Sequence, residues 1–296
     1  METKELFMNG EFVPVEHGMI SVRTHGFAYG TGCFEGIRGY WNESEQQVYL
    51  FRLREHYERL LRSCAILQIA LPYTVDQLID ITTELVRRNG QQQDVYLRPV
   101  AYKADQTIGV RLHGLRDDFI ITSEPVGNYV DTNGMSAGVS SWRRIDDNAI
   151  PARAKICGAY VNSAFAKSEA MQNGFDEAIM LTHEGHVSEG SAENIFLLID
   201  GELVTPAPTE NILLGITRDT VMQLARRELG RITSEMCGTG AQIAPVISVD
   251  RRPVGNGRIG PISSAIQQLY NDVVRGRSSD YRALWCTPVY AHERVP

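Results

Sequence analysis

A lysine stands in a run of small and apolar residues at IPARAKICGAYVN, residues 150–162. Long charged side chains are seldom placed in such surroundings without a reason. Burial lowers the pKa of a lysine amine and makes it a nucleophile able to form a Schiff base with an aldehyde. The alternative is a structural lysine whose stem packs while its ammonium group reaches water. The chain contains only four lysines (Lys4, Lys103, Lys155 and Lys167), so Lys155 is one of few candidates for lysine chemistry.

Three further segments carry groups that suit a phosphate-bearing aldehyde. In HVSEGSAENIF, residues 186–196, either Glu189 or Glu193 could face a ring nitrogen or be an ordinary solvated carboxylate. LGITRD, residues 214–219, begins a predicted helix whose first amide groups favour a phosphate, although Thr217 is also simply a good N-cap. CGTG, residues 237–240, supplies a second turn of small residues. Taken with the lysine, these segments make pyridoxal phosphate the leading candidate cofactor.

The sequence lacks the motifs that are typical of nucleotide-binding, hydrolase and zinc sites. The chain has no GxxxxGK[ST] or strand-linked GxGxxG segment for nucleotides, no GxSxG segment for a hydrolase and no HExxH segment for zinc. HEGH, residues 183–186, is interpreted as a hairpin turn rather than a metal site. The sequence therefore predicts no metal centre.

Composition narrows the possible partners and location. The 296 residues carry a net charge of −7 without a long basic run, which argues against nucleic acid. No apolar run approaches the about 18 residues of a membrane-spanning helix, and no targeting segment is recognised. Five cysteines without a CxxC pair are typical of reduced thiols, so we expect a cytoplasmic protein.

The sequence predicts both helices and strands around these groups. Asn9-Gly10 predicts a β-hairpin turn, and the periodicity over residues 53–64 predicts an amphipathic helix with Arg59 on its polar side. A stretch rich in Pro, Gly, Asn and Asp near residues 124–134 marks the predicted domain junction. We therefore expect an N-terminal domain over 1–125, a linker over 126–134 and a C-terminal domain over 135–296.

Several separated motifs, in order along nearly the whole chain, resemble the branched-chain amino acid aminotransferases of the class IV, fold type IV pyridoxal-phosphate enzymes. They are AYGTGCFEGIRGY, FRLREHYERL, VYLRPVAY, IPARAKICGAYVN, VSEGSAENIF and LLGITRD. The resemblance implies an α/β (α+β) fold with a smaller N-terminal α/β domain and a larger, β-barrel-like C-terminal domain with helices. It also implies amino-group exchange between leucine, isoleucine or valine and 2-oxoglutarate.

Carried over by position, the resemblance assigns the cofactor contacts. Lys155 would form the Schiff base and then move the substrate Cα proton, and Glu189 would pair with the ring nitrogen. Tyr160 would bond to the phenolic oxygen. The phosphate would be held by Arg59, Ile216, Thr217 and Thr239, with Leu213 also at the cofactor.

The same resemblance assigns the substrate contacts. Tyr96 and the amides of Thr239 and Gly240 would hold the α-carboxylate, while Arg98 would meet the γ-carboxylate of glutamate. Phe34, Tyr129 and Leu213 would line the side-chain pocket. Tyr29 and Val110 would reach in from a neighbouring subunit, which implies a homodimer or a higher homo-oligomer.

Two departures from the family pattern bear on substrate and fold. Val126 stands where these enzymes often carry a pocket tryptophan, which leaves room for larger substrates. Between Gly230 and Gly238, seven residues (Arg231 to Cys237) replace a strand and a short helix, too few to supply both. An altered sheet edge is therefore one expectation, and Thr239 lies closest to the change.

Three alternatives to the branched-chain transaminase remain open at this point. One is a D-amino acid or R-amine transaminase of the same fold. Another is a lyase of the type that acts on aminodeoxychorismate, which needs no amino acceptor. The third is a protein that keeps the fold, or binds the cofactor, without turnover.

Overall fold

The computed structural model describes residues 4–127, 133–199, 202–229, 235–238 and 242–290. They form two compact units that interleave along the chain. The first contains residues up to Gly127, together with Ala154–Gly158 and the residues from Asp272 onward. The second contains the residues between these segments. The predicted linker over 126–134, and the predicted domains on either side of it, stay predictions.

Strands and helices both contribute to each unit, which confirms the mixed α/β class. The strands are β1 (Glu5–Met8), β2 (Glu11–Pro14), β3 (Gly32–Phe34), β4 (Ile37–Asn42), β5 (Gln47–Phe51), β6 (Val95–Lys103), β7 (Asp117–Pro125), β8 (Met135–Val139), β9 (Glu177–Leu181), β10 (Val187–Gly190), β11 (Asn194–Ile199), β12 (Glu202–Val204), β13 (Glu235–Gly238), β14 (Gln242–Val249), β15 (Arg252–Pro253) and β16 (Cys286–Pro288). The α-helices are α1 (His25–Tyr29), α2 (Leu53–Ile66), α3 (Val75–Arg88), α4 (Tyr160–Gln172), α5 (Ile216–Leu224), α6 (Pro261–Val274) and α7 (Ser279–Trp285).

The first unit is built on an antiparallel sheet in the order β16-β5-β4-β6-β7-β1-β2, with β3 also paired to β6. The predicted hairpin is confirmed, since Asn9 and Gly10 both have positive φ between β1 and β2. Burial alternates along the first part of β6, as expected for a strand with one covered face. Helix α2 contacts α3 and β3, so its inner side is buried in this unit.

The second unit has a sheet in the order β10-β9-β8-β14-β13-β11-β12, with β15 paired to β14. Strand β8 runs parallel to β9, and α4 provides the crossover that such a pair requires. Small residues let this helix pack closely, because Ala166 and Ala170 contact Ala178 and Met180. The described strands form an open order rather than a closed barrel.

The shortened segment still supplies a strand. Strand β13 pairs on one side with β11 and on the other with β14, so it lies inside the sheet. A π-helical turn, Ala225–Leu229, follows α5 shortly before it. The sheet therefore keeps an internal strand despite the short connection.

None of the helices in the described part of the chain is both long and apolar enough to cross a membrane.

Candidate active site

Lys155 lies in the short segment Ala154–Gly158, which belongs to the first unit although its neighbours in sequence belong to the second. The backbone N–H of Phe34 in β3 donates to the Lys155 carbonyl at 3.1 Å. The Lys155 N–H in turn donates to Oγ of Ser63 in α2 at 3.1 Å. The lysine backbone is thus held from two elements of one unit.

Glycine lets the end of this segment approach the chain before β3. The Gly158 N–H donates to the Gly30 carbonyl at 3.3 Å, and Gly30 has φ +67°. A Cβ at Gly30 would lie 3.0 Å from the Gly158 Cα. Two glycines therefore allow the backbones to meet here.

Phe34 brings together three other residues assigned to the site by resemblance. The Lys155 Nζ lies 5.0 Å from its ring centroid, and the Arg98 Cζ lies 4.4 Å from it. Arg98 also donates from Nη2 to the Tyr96 hydroxyl at 2.8 Å. The Phe34 ring therefore lies near two basic side chains, at distances typical of cation–π contacts.

Tyr96 is further constrained by a glycine. A Cβ at Gly36 would lie 2.2 Å from the Tyr96 hydroxyl oxygen. Any larger residue at this position would force the tyrosine to move. The glycine at position 36, which begins the GIR segment of the motif, therefore has a steric explanation.

Arg59 is buried and paired with a buried carboxylate. Its Nε donates to Oε1 of Glu35 and its Nη2 to Oε2, each at 2.7 Å, which makes the pair bidentate. Burial alone raises the pKa of Glu35, but the Arg59 charge and the hydrogen bonds from Arg59 and His56 hold it well below its usual range. The guanidinium is therefore fixed in position by an ionised partner.

His56 completes this cluster as a neutral side chain. Its Nδ1 lies 2.7 Å from Oε2 of Glu35, and because that carboxylate is ionised, Nδ1 carries the proton. Burial lowers the pKa of His56, and no described group forms a hydrogen bond with its buried Nε2. The three side chains together carry no net charge.

Glu189, in β10 of the second unit, is a buried carboxylate with contacts to both oxygens. Arg144 Nη2 lies 2.8 Å from its Oε1. Asn194 Nδ2 donates to its Oε2 at 3.0 Å, and the Leu213 N–H donates to the same oxygen at 3.1 Å. A buried cation and two N–H donors thus favour the ionised form of Glu189.

The N-terminus of α5 lies beside Asn194, close to the backbone that binds Glu189. Gly215 is the N-cap and, as a glycine, provides no side-chain hydrogen bond of its own to the helix. A Cβ at Gly215 would lie 2.0 Å from the Asn194 Oδ1, so the turn has room only for glycine. Ile216 and Thr217 follow as buried residues in the first turn, where helix amides favour an anion.

A second group of titratable side chains in this unit consists of Lys167, Glu177 and Glu193. Lys167 Nζ lies 2.5 Å from Oε2 of Glu177. Burial, and next the charge of Glu177, raise the pKa of Glu193 to about 8. Burial and the Glu177 charge thus disfavour the ionised form of Glu193, which is the form that a protonated ring nitrogen would need.

The remaining predicted residues are placed as follows. Tyr160 begins α4 and is partly buried, whereas Tyr29 and Val110 are exposed on the first unit. Tyr29 accepts a hydrogen bond from the Gly109 N–H at 3.2 Å, next to Val110. Tyr129, Thr239 and Gly240 lie outside the described residues.

Sequence reasoning missed the residues that support this site. Glu35, His56 and Ser63 hold Arg59 and Lys155, and Arg144 holds Glu189. One signal was available, because His56, Arg59 and Ser63 recur at the spacing of one helix face. Nothing local distinguishes Arg144 from Arg143 beside it.

Comparison with known families gives a match over most of the chain. The model of the class IV amino-transferases matches residues 32–238. A protein of Aquifex aeolicus named as a probable branched-chain-amino-acid aminotransferase is 45% identical over 300 residues, covering 96% of each chain.

Solved structures agree in fold over nearly the full length. The branched-chain aminotransferase of Thermoproteus uzoniensis, solved with norvaline, has a TM-score of 0.91 and 41% identity, covering 97% of this chain and 99% of that one. The branched-chain amino acid aminotransferase of Thermobaculum terrenum, solved in its PLP form, has a TM-score of 0.92 and 36% identity, covering 98% and 99%.

Replacing Glu35 by glutamine tests the buried cluster. Glu35→Gln leaves the Arg59 guanidinium without its counter-charge, and we expect a loss of about 3–5 kcal/mol in the free energy of unfolding, measured in urea. The control is Glu84→Gln, whose ion pairs with Arg87 and Arg88 are largely exposed and should contribute less than about 1 kcal/mol. Equal losses in the free energy of unfolding would show that the buried cluster of Glu35, Arg59 and His56 stabilises the protein no more than an exposed ion pair does.

Glu193 predicts a pH dependence of stability. Its pKa is about 8 in the folded protein against 4.5 for an unperturbed glutamate. The folded state therefore binds the extra proton between these values, so the free energy of unfolding falls as pH rises from about 4.5 to about 8. The full change is at most roughly 5 kcal/mol. Urea midpoints at about pH 6 and about pH 8.5 should differ in the wild type and converge in Glu193→Gln. Glu16→Gln, at an exposed position, should retain the wild-type difference.

Proposed function

The chain belongs to the class IV aminotransferase family, and from this premise we propose that it exchanges the amino group between branched-chain L-amino acids and 2-oxoglutarate. The observation that carries the proposal is the fixed backbone of Lys155 beside Phe34, Tyr96 and Arg98 in the first unit. The names of the relatives support the substrate class. We also propose a cytoplasmic location, supported by the free thiols of Cys33, Cys64, Cys157 and Cys286.

The cofactor of this family is pyridoxal 5′-phosphate, and the donor groups of the described residues suit it. The buried Arg59 and the α5 N-terminus, where a Cβ at Gly215 has no room, are groups that bind phosphate. Lys155 would hold the aldehyde carbon, Glu189 the ring nitrogen and Tyr160 the phenolic oxygen. Arg59, Leu213, Ile216, Thr217 and Thr239 would complete the cofactor contacts. When bound, the group supplies an electron sink for the substrate Cα.

Lys155 performs the proton transfer in this proposal. Its Nζ would take the proton from the substrate Cα and would later give it to the carbon that had been the aldehyde carbon of the cofactor. General acid–base transfer of this kind contributes about 10²- to 10⁴-fold to rate when the base is well positioned. The backbone contacts to Phe34 and Ser63 provide that positioning.

Glu189 supplies fixed negative charge opposite a protonated ring nitrogen. Arg144 keeps the carboxylate ionised, while Asn194 and the Leu213 N–H orient its second oxygen. Such preorganised charge needs no rearrangement during the reaction. Glu189 is proposed for this role over Glu193, because burial raises the pKa of Glu193 and disfavours its ionised form.

Tyr96 and Arg98 would select the substrate carboxylates. Tyr96 Oη would hold the α-carboxylate together with Thr239 and Gly240, and Arg98 would meet the γ-carboxylate of glutamate. Arg98 donates to the Tyr96 hydroxyl, which orients the phenol for this purpose. Phe34, Leu213 and Tyr129 would contact the aliphatic side chain.

We propose that two copies of the chain form a dimer through an apolar surface of the first unit. Val22 is 80% exposed and Ile108 is 95% exposed. His25 joins their two segments, because its N–H donates to the Asp105 carbonyl and its Nε2 lies 2.7 Å from the Gly109 carbonyl. The exposed members of this surface are Met19, Ile20, Val22, Phe27, Tyr29, Ile108 and Val110. A surface of this kind on one face of a chain favours pairing with a second copy. Tyr29 and Val110 would then reach the site of the partner.

Lys155→Ala tests the proposed chemistry. We expect kcat for amino transfer from L-leucine to 2-oxoglutarate to fall by at least about 10³-fold, because both the Schiff base and the proton carrier are lost. Lys4→Ala, at an exposed lysine, should retain wild-type turnover. Equal losses in the two variants would show that Lys155 is not the reacting lysine.

The substrate class is tested on the wild type loaded with pyridoxal phosphate. L-Leucine alone, without a keto acid, should abolish the visible absorption band and yield pyridoxamine phosphate. A band that responds only to a D-amino acid or an R-amine would instead indicate the other transaminase specificity. Pyruvate formation from aminodeoxychorismate would indicate the lyase.

Ile108→Asp tests the dimer. A buried unpaired carboxylate at a subunit interface is strongly unfavourable, so we expect a monomer in sedimentation velocity and a loss of turnover. Leu284→Asp, at a leucine 65% exposed in α7 and outside the apolar surface, should remain dimeric and active. A dimeric, active Ile108→Asp variant would contradict this interface.

A further inference from the structure

Ser63 connects the backbones of two residues of the first unit that are proposed to hold the cofactor, Arg59 and Lys155. Its hydroxyl donates to the carbonyl of Arg59 at 3.0 Å, one turn earlier in α2. The same oxygen accepts the N–H of Lys155 at 3.1 Å, across 92 residues of sequence. We propose that Ser63 is a positioning residue that fixes Lys155 relative to Arg59, an inference that rests on the proposed role of Lys155.

The chemistry of a hydroxyl explains why serine suits this position. A hydroxyl has one O–H donor and two acceptor lone pairs, so it satisfies a carbonyl and an N–H at the same time. A serine within a helix commonly donates to the carbonyl four residues earlier. Here the oxygen also serves a second segment, which an ordinary back-bonded serine does not do.

The lysine segment depends on such outside anchors because it has little regular structure of its own. Between Ala154 and Gly158 it forms one isolated bridge, Cys33 with Ile156, before a short 3₁₀ turn begins at Cys157. The Phe34 N–H binds the Lys155 carbonyl from β3. Ser63 supplies the opposing anchor from α2, so the two bonds hold the lysine backbone at both its N–H and its carbonyl.

Helix α2 also holds the proposed phosphate-binding side chain. Arg59 is locked on Glu35 by two hydrogen bonds of 2.7 Å each, so its guanidinium has a fixed position in the unit. Ser63 is fully buried on the same helix. A displacement of Lys155 from this helix would therefore change the distance between the amine and the phosphate-binding group.

Ser63→Ala removes the hydroxyl with little change in volume. We expect faster hydrogen–deuterium exchange in peptides covering 154–158, because the Lys155 N–H loses its acceptor. We expect kcat for L-leucine to fall by about 10- to 100-fold with KM changed less than about twofold, since a small misplacement of a reacting group has effects of this size. Ser63→Thr keeps the hydroxyl and should restore most of both properties.

The matched control is Thr83→Val in α3. The Thr83 hydroxyl is also buried and donates to the carbonyl four residues earlier, Ile79, but has no hydrogen bond to the lysine segment. This variant measures the cost of losing one buried helix hydroxyl. It should leave exchange at 154–158 and kcat at their wild-type values.

Two results would overturn the inference. One is unchanged exchange at 154–158 in Ser63→Ala, and the other is faster exchange with kcat within about twofold of the wild type or equal to that of Thr83→Val. Wild-type protein that does not act on L-leucine would overturn the proposed function instead. The exchange measurement would then still decide whether Ser63 anchors the lysine segment.

Discussion

A buried carboxylate remains ionised only where cations and N–H donors replace the water it has lost, and both units are organised around this requirement. In the first unit, Glu35 meets it through Arg59 and His56. In the second unit, Glu189 meets it through Arg144, Asn194 and a backbone N–H. Because an unpaired buried charge costs several kcal/mol, each partner is effectively required once the acid is buried. In the first unit, the ionised Glu35 in turn fixes the direction of the Arg59 guanidinium.

The arrangement also requires two side chains to approach the main chain closely, and glycine makes this possible. Gly36 leaves room for the Tyr96 hydroxyl, and Gly215 leaves room for the Asn194 side chain at the start of α5. Neither position requires positive φ, so the absence of a Cβ matters rather than backbone freedom. At both positions, a polar side chain can therefore lie directly against the main chain of the glycine.

Local patterns predicted part of this correctly and part wrongly. The hairpin at Asn9-Gly10 and the helix over 53–64 follow from turn chemistry and periodicity, and both are confirmed. The same periodicity put Arg59 on the polar side of α2, yet the structure buries it. Periodicity shows which face of a helix carries charged residues. It does not show that a charged residue on that face can be buried when it pairs with a buried acid such as Glu35. The short connection before β13 could not be interpreted from its length alone, because pairing with β11 and β14 decides whether a strand forms.

Local sequence is enough to identify the chemical groups: a lysine among small residues, an acid before an apolar strand, and a glycine at a helix start. These properties reside in a few adjacent residues, and the family motifs assign them to one cofactor. The distant residues that support these groups become apparent only in the folded chain. Glu35 and Arg59 are 24 residues apart, and Ser63 and Lys155 are 92 apart. Such pairs form because desolvated charges and buried N–H groups need partners, and the path of the chain, rather than any local pattern, determines which partners lie within reach.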